Sequence, residues 1–266
     1  MRVQHESDSK LALSIVSEAG SIATRNRDRN VSNTKDSYRD IVTDVDLEIE
    51  RFIFSKLETS HYQIIGEESF YNNNGKYAIS KPDEAVWYVD PIDGTTNFAN
   101  GLDHFAISIG LITQNAFLVG AINIPMAKEL YFTYGTDRAF VNGKKLAFTK
   151  NNKLKDSLVS VNFSSKEKDS FARENQYKIF GKINDSSRGC IRLGSAAVNL
   201  CYTASGKIDA TYGLDIPLWD VAAGLTIAEK AGCKIWFEQT SNLRCNFIVG
   251  TETNISELKL LILEGK

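Results

Sequence analysis

The chain has 266 residues, 42% of them hydrophobic and 24% charged, with a formal net charge of −2. That length fits one large domain or two smaller ones sharing a core, and the charge balance gives no electrostatic case for nucleic acid as a substrate. Apolar runs are short, as at Phe105-Ala106-Ile107, which excludes a membrane span, and the polar segment 1–10 leads to the expectation of a cytoplasmic protein without a secretory leader.

Leu11, Ile15, Ala19, Ile22 and Ala23 recur at helical spacing and predict a helix over 6–26. After a polar loop, a second helix is expected over 43–59. Thr43 supplies its N-cap hydroxyl, Asp44 and Asp46 suit its dipole, and Val45, Ile49, Phe52, Ile53 and Leu57 face inward. Strands are expected at 63–66 and 85–89. From 105 to 141 the β-branched and aromatic residues, broken by glycines and one proline, have the rhythm of a strand meander, and Asn142-Gly143 marks a tight turn.

The polar, basic segment 151–155 divides the chain into an α+β half (1–150) and an α/β half (151–266). In the second half the expected order is a strand at 158–161, a helix at 164–177 and a strand near 189–192. A helix over 195–205 follows, then a strand at 208–212, a helix over 219–231 ending at Gly232, strands at 234–237 and 247–249, and a helix at 255–264. This irregular alternation predicts a layered α/β fold. The four cysteines, Cys190, Cys201, Cys233 and Cys245, lack CxxC spacing and read as buried thiols rather than disulfides or a zinc site.

Three acidic clusters stand out. In Trp87-Tyr88-Val89-Asp90-Pro91-Ile92-Asp93-Gly94-Thr95, an apolar strand runs into two carboxylates separated by a stiff proline and followed by a glycine turn. Carboxylates that converge in this way need a cation, a shared proton or separate solvation. Magnesium and manganese suit such oxygen donors, and a helix start at Thr95 would receive an anion. An isolated Asp-Pro-x-Asp-Gly is most often a surface turn. An EF-hand is excluded because its twelfth position is Gly101, and an aspartyl-phosphatase DxDGT because Pro91 stands at the nucleophile. Ile64-Ile65-Gly66-Glu67-Glu68-Ser69 alone reads as a solvated strand end, and Leu218-Trp219-Asp220-Val221 alone as an ordinary helix cap. Their occurrence together, each at the end of an apolar element, points to one site.

These stretches, with Asp40-Ile41-Val42-Thr43-Asp44-Val45-Asp46, Thr96-Asn97-Phe98 and Gly194-Ser195-Ala196-Ala197, resemble the inositol monophosphatase family, within the wider group that includes fructose-1,6-bisphosphatases. The resemblance runs in order along nearly the whole chain. It implies an α/β/α/β/α sandwich with mixed sheets, usually dimeric, that hydrolyses a small polyol or sugar phosphate with two or three Mg2+ ions, Mn2+ being a possible substitute, and that is lithium-sensitive. It also implies roles for single residues. Glu67, Asp90 and the carbonyl of Ile92 would hold a first metal, and Asp90, Asp93 and Asp220 a second, with a weaker third ion beside Glu67. Thr95 and Asp46 would orient and deprotonate the attacking water. The backbone of Gly94 and Thr95 would receive phosphate oxygens, and Lys35 would lie near the metals. Gly194, Ser195 and Ala196, with Asp93 and Asp220, would border the substrate.

One departure concerns specificity. Inositol-specific members carry a hydroxyl-binding glutamate where this chain has Gly213, with Asp215 as a conceivable substitute from a shifted backbone. The alternatives are a related enzyme acting on fructose 1,6-bisphosphate, histidinol phosphate or a 3'-phosphoadenosine nucleotide, and a non-catalytic binding or regulatory protein. The Thr96-Asn97-Phe98 ending favours the inositol branch over the nucleotide and histidinol branches. No basic pocket motif is visible in the sequence, which argues against nucleotides.

Overall fold

Helix α1 (Arg2–Arg25) buries an apolar stripe, Ala12, Ile15, Val16, Ala19 and Ala23, in the core it shares with α2. The computed structural model describes residues 2–27, 32–34, 41–72, 84–163, 170–241 and 243–263. A short ribbon of β1 (Ser32–Thr34) and β2 (Ile41–Thr43) leads into α2 (Asp44–Leu57). Thr43 caps α2 in a reciprocal box: its hydroxyl receives the Asp46 N–H, and its own N–H donates to the Asp46 carboxylate.

A seven-stranded sheet follows in the order β3 (Gln63–Gly66), β4 (Val86–Asp93), β5 (Ala106–Ile112), β6 (Phe117–Ile124), β7 (Glu129–Thr133), β8 (Ala139–Val141) and β9 (Lys144–Lys145). Only β3 and β4 run parallel; the rest is the expected meander, and its last turn has Asn142 and Gly143 at φ 48° and 77°. Two short helices interrupt the sheet, α3 (Glu67–Asn72) after β3 and α4 (Thr95–Ala99) after β4. Sequence periodicity misses α3 because six residues are too few to show a period.

The second sheet has five strands in the order β11 (Gly189–Ile191), β10 (Leu158–Phe163), β12 (Ala210–Pro217), β14 (Arg244–Gly250) and β13 (Lys234–Ser241). Strand β10 is parallel to both of its neighbours, so this sheet is mixed as well. Its helices are α5 (Ser170–Ser186), α6 (Ala196–Ala204), α7 (Leu218–Ala231) and α8 (Glu252–Leu263). Helix α5 continues past the expected end at 177 to Ser186, where Ile179 and Ile183 join the third core; 164–169 lie outside the described residues. Strand β12 runs past 212 to Pro217 because β14 continues to pair with it across a bulge between Gly213 and Ile216.

Side-chain alternation sets the layers. On β4, Trp87 and Val89 join the core under α1 and α2, while Val86 and Tyr88 join the central core around α6 and α7. On β14, Phe247 and Val249 face that central core, and Ile248 faces the third, with α5 and α8. The result is helix, sheet, helix, sheet, helix, as the resemblance implies. The close approach of α7 depends on Gly110 and Gly120, which pair across β5 and β6. A Cβ on either would come within 2.4 Å of the Ala223 backbone.

Candidate metal centre and active site

Strand ends deliver the acids. Glu67 follows the last residue of β3, and Asp90 and Asp93 close the parallel strand beside it. Asp220 lies in the first turn of α7, just beyond β12. One carboxylate oxygen from each of Glu67, Asp90 and Asp220 lies within 4.8 Å of the others. Aromatic packing joins the two contributing segments: the Trp219 ring lies 5.0 Å from Phe70 and 6.2 Å from Tyr71. Residues nearly 150 positions apart in sequence, 219 − 70 = 149, are thereby pinned together.

Asp90 is 1% exposed. Burial, and then the charges of Glu67, Asp93, Asp220 and Asp46, push its carboxyl well above the usual range. One of its oxygens accepts the Ile92 N–H at 3.0 Å, which folds the Asp-Pro-Ile-Asp turn back on itself. Asp93 stands outside the tight trio. Its Oδ2 accepts the Ser195 hydroxyl and the Ala197 N–H, both at 2.6 Å, and so ties β4 to the start of α6. Burial raises its pKa to about 7 despite those hydrogen bonds.

Beside the trio lies a hydrogen-bonded pair. The Thr95 hydroxyl is 3.1 Å from Asp46 Oδ1 and 2.9 Å from the Ile92 carbonyl. Asp46 is buried, and the capping box at Thr43 holds its other oxygen. Gly94, at φ 97°, turns the chain between Asp93 and α4, and a Cβ there would press on the His104 carbonyl at 3.0 Å. Gly194, Ser195 and Ala196 line the same cleft, of about 730 Å³, which the four acids and Gly94 also border.

Lys35 lies outside the described residues; every other expected site residue comes to this cleft or, as Asp46, to its wall. Two supports are not evident in the sequence. Glu50, one helical turn after Asp46 on α2, is buried and accepts the N–H groups of Glu68 and Ser69 at 2.9 and 2.8 Å. It caps α3 and so sets the position of Glu67. Its signal in the sequence is its i,i+4 spacing from Asp46 beside the inward-facing Ile49 and Ile53. Asn97 donates to the Leu193 carbonyl at 2.7 Å and the His104 carbonyl at 2.5 Å, and joins α4 to the Gly194 loop.

Two specificity expectations change. Gly213 lies inside β12, where a Cβ would come within 2.5 Å of the Phe247 ring, so no side chain fits there without a shift. Asp215, at φ 53°, gives no acid to the cleft: it accepts from Arg244 Nε at 2.8 Å and Thr240 Oγ1 at 3.1 Å. The cleft is also more basic than the sequence suggests, since Arg173, Arg192 and Arg244 all line it. No local motif announces them, because they come from three separate elements.

The donor set fits a hard divalent cation. It is all oxygen, tightly grouped, and built from acids whose mutual repulsion a cation relieves. Cysteine chemistry has no comparable support: burial raises the Cys190 and Cys233 thiols to about 11 and about 12.

Comparison with known proteins gives a consistent picture. Residues 4–255 match the Inositol monophosphatase family. An inositol-1-monophosphatase of Bacillus subtilis is 29% identical over 229 residues, 84% of this chain and 82% of that protein. The Nus factor SuhB of Haemophilus influenzae is 30% identical over 227 residues, again 84% and 82% of the two chains. The solved structure of an IMPase from Thermotoga maritima superposes with a TM-score of 0.80 at 26% identity, covering 96% of each chain.

Proposed function

The chain belongs to the inositol monophosphatase family and is a phosphomonoesterase; from that premise we propose that it hydrolyses a small polyol or sugar phosphate with magnesium in the acidic cleft. One observation carries the reading: the carboxylates of Glu67, Asp90 and Asp220 converge within 4.8 Å beside the Asp46–Thr95 pair. In this reading Glu67, Asp90, Asp93, Asp220 and the Ile92 carbonyl hold the ions. Magnesium bound there would neutralise charge on the phosphoryl group and make water more acidic.

The remaining work belongs to the chain. With its hydroxyl proton directed at Asp46 Oδ1, Thr95 offers its oxygen lone pair to a water in the cleft and orients it. Asp46 receives the proton that moves through this pair. The N–H groups of Gly94 and Thr95, at the open end of α4, receive phosphate oxygens, because the first turn of a helix leaves its donors unpaired. Gly194, Ser195 and Ala196 border the alcohol. Lys35 retains the role near the metals that the resemblance gives it. The retention of every acid of the site favours an enzyme over a purely binding protein.

The test is hydrolysis of a panel of phosphate monoesters in chelator, with magnesium added back. Activity should vanish and return, and lithium should inhibit it. Full turnover in excess chelator overturns the reading. The same reading makes the enzyme a cytoplasmic homodimer, which light scattering and cell fractionation check.

A further inference from the structure

Strand β12 carries an irregularity just before it delivers α7. Between its pairs Gly213 with Phe247 and Ile216 with Cys245, β12 advances three residues while β14 advances two, so one extra residue is fitted opposite Asn246. Asp215 stands in this bulge at φ 53°. Among the described residues the other non-glycine residues at positive φ are Lys128 and Asn142, which lie in turns between strands, whereas Asp215 lies within one. Such a conformation persists in a side-chain-bearing residue only where its surroundings hold it.

The surroundings do hold it. The Asp215 N–H donates to Asn246 Oδ1 at 2.8 Å, Oδ1 accepts the Thr240 hydroxyl at 3.1 Å, and Oδ2 accepts Arg244 Nε at 2.8 Å. The Arg244 guanidinium also donates to the Asp215 carbonyl, so one arginine grips both the side chain and the backbone of the bulge. Asn246 is steadied in turn, since its amide donates to Glu238 on β13 at 3.0 Å.

The metal site begins directly beyond. Pro217, two residues after Asp215, pairs with Arg244, and the Leu218 N–H donates to the Leu243 carbonyl at 2.9 Å. Asp220 then stands in the first turn of α7, a helix that no side chain caps. Its start is therefore set by how β12 and β14 deliver it. The two places are close: burial first, and then the charges of Asp220, Arg244 and Asp215, act on the thiol of Cys245, the partner of Ile216. A bulge adds one residue to a strand and so re-aims every side chain that follows it.

We infer that Asp215 and Arg244 form a brace that positions the metal site: by holding the bulge, they fix the start of α7 and with it the Asp220 carboxylate against Glu67 and Asp90. Asp215 is a positioning residue, acting through Asp220 without touching metal or substrate. The inference rests on the magnesium reading above and adds to it a residue outside the cleft.

Mn2+ binding to the whole chain, followed by electron paramagnetic resonance with magnesium as competitor, tests it. Asp215→Gly suits the left-handed backbone yet removes the carboxylate. It should fold, as circular dichroism checks, but bind Mn2+ about tenfold more weakly, the loss expected of a group that orients a metal ligand. Asp215→Asn tolerates the same backbone and keeps an acceptor for Arg244, so it should recover part of that loss. The magnesium concentration for half-maximal activity should rise in parallel, while kcat at saturating magnesium changes less than about twofold. A role in stability alone would lower the melting temperature and leave the metal affinity of folded protein unchanged. In the Asp220→Asn background, Asp215→Gly should cost almost nothing further, because both act through one ligand. Parent-like Mn2+ affinity in Asp215→Gly, or losses that add in the double variant, overturns the inference. If Asp215→Gly does not fold, Thr240→Val, which removes one bond of the brace, carries the same comparison. A parent chain that binds no Mn2+ refutes the metal reading and this inference together, whereas a binding parent with unchanged variants refutes this inference alone.

Discussion

Two sheets turn strand ends toward one cleft, and they present opposite charges in opposite solvation. The seven-stranded sheet supplies Glu67, Asp90 and Asp93, with Asp90 sealed from water and crowded by like charge. At the five-stranded sheet stand Arg192, which is exposed, and Arg173 and Arg244, which are half-buried. Burying mutually repelling acids costs stability, and that cost is recovered when a cation arrives. Partly solvated arginines cost the fold less, and while Arg244 is held by Asp215, Arg173 and Arg192 are left to act on what enters the cleft. The acidic edge should therefore govern whether chemistry occurs at all, and the basic edge which molecule undergoes it.

The contrast is broken most severely at Asp90. Asp90→Asn should lower kcat at least about a hundredfold, equivalent to about 3 kcal/mol of transition-state stabilisation. The metal-free variant should melt no lower than the parent, because repulsion with its acidic neighbours is relieved. Near-normal turnover would remove Asp90 from the centre.

Glu50 sharpens the comparison, since it is buried on the same side yet fully engaged by backbone donors. Glu50→Gln keeps one accepting oxygen and turns an amide N–H toward the other of those donors. It should weaken magnesium activation about tenfold through a displaced Glu67 and destabilise the fold by about 1–3 kcal/mol. Magnesium titration with parallel melts reads both effects. An unchanged titration would mean that α3 holds Glu67 without its cap.

The smallest effect is in pH. Burial raises the Asp93 carboxyl to about 7 and pushes Asp90 up as well, so in metal-free protein both favour the protonated form. Their contribution to stability is complete below the unfolded value, near 3.8, and is lost as pH rises through about 7 for Asp93. Chelated protein should melt a few degrees higher at pH 5.5 than at pH 8, and magnesium should narrow the gap. A flat profile in chelator would show that these acids are solvated rather than crowded.

Much of this molecule follows from local sequence. The α1 stripe, the Thr43 cap, the β5 to β9 meander and its Asn142-Gly143 turn all stand where periodicity and turn chemistry place them, because each depends on neighbours a few residues away. The acids Glu67, Asp90, Asp93 and Asp220 each stand at the end of an apolar element, but taken singly each reads as a turn, a strand end or a helix cap, and only their occurrence together, with the family resemblance, points to one site. What the residue pattern does not carry is the meeting of distant ends. That Glu50 caps the helix of Glu67, that Phe247 fills the space beside Gly213, that Asp215 turns to Arg244, and that three arginines share a cleft with four acids depend on strand order and on the crossing of α7 between two sheets. Side-chain chemistry is written residue by residue, but which strand ends become neighbours is decided only when both sheets pack against the same pair of helices.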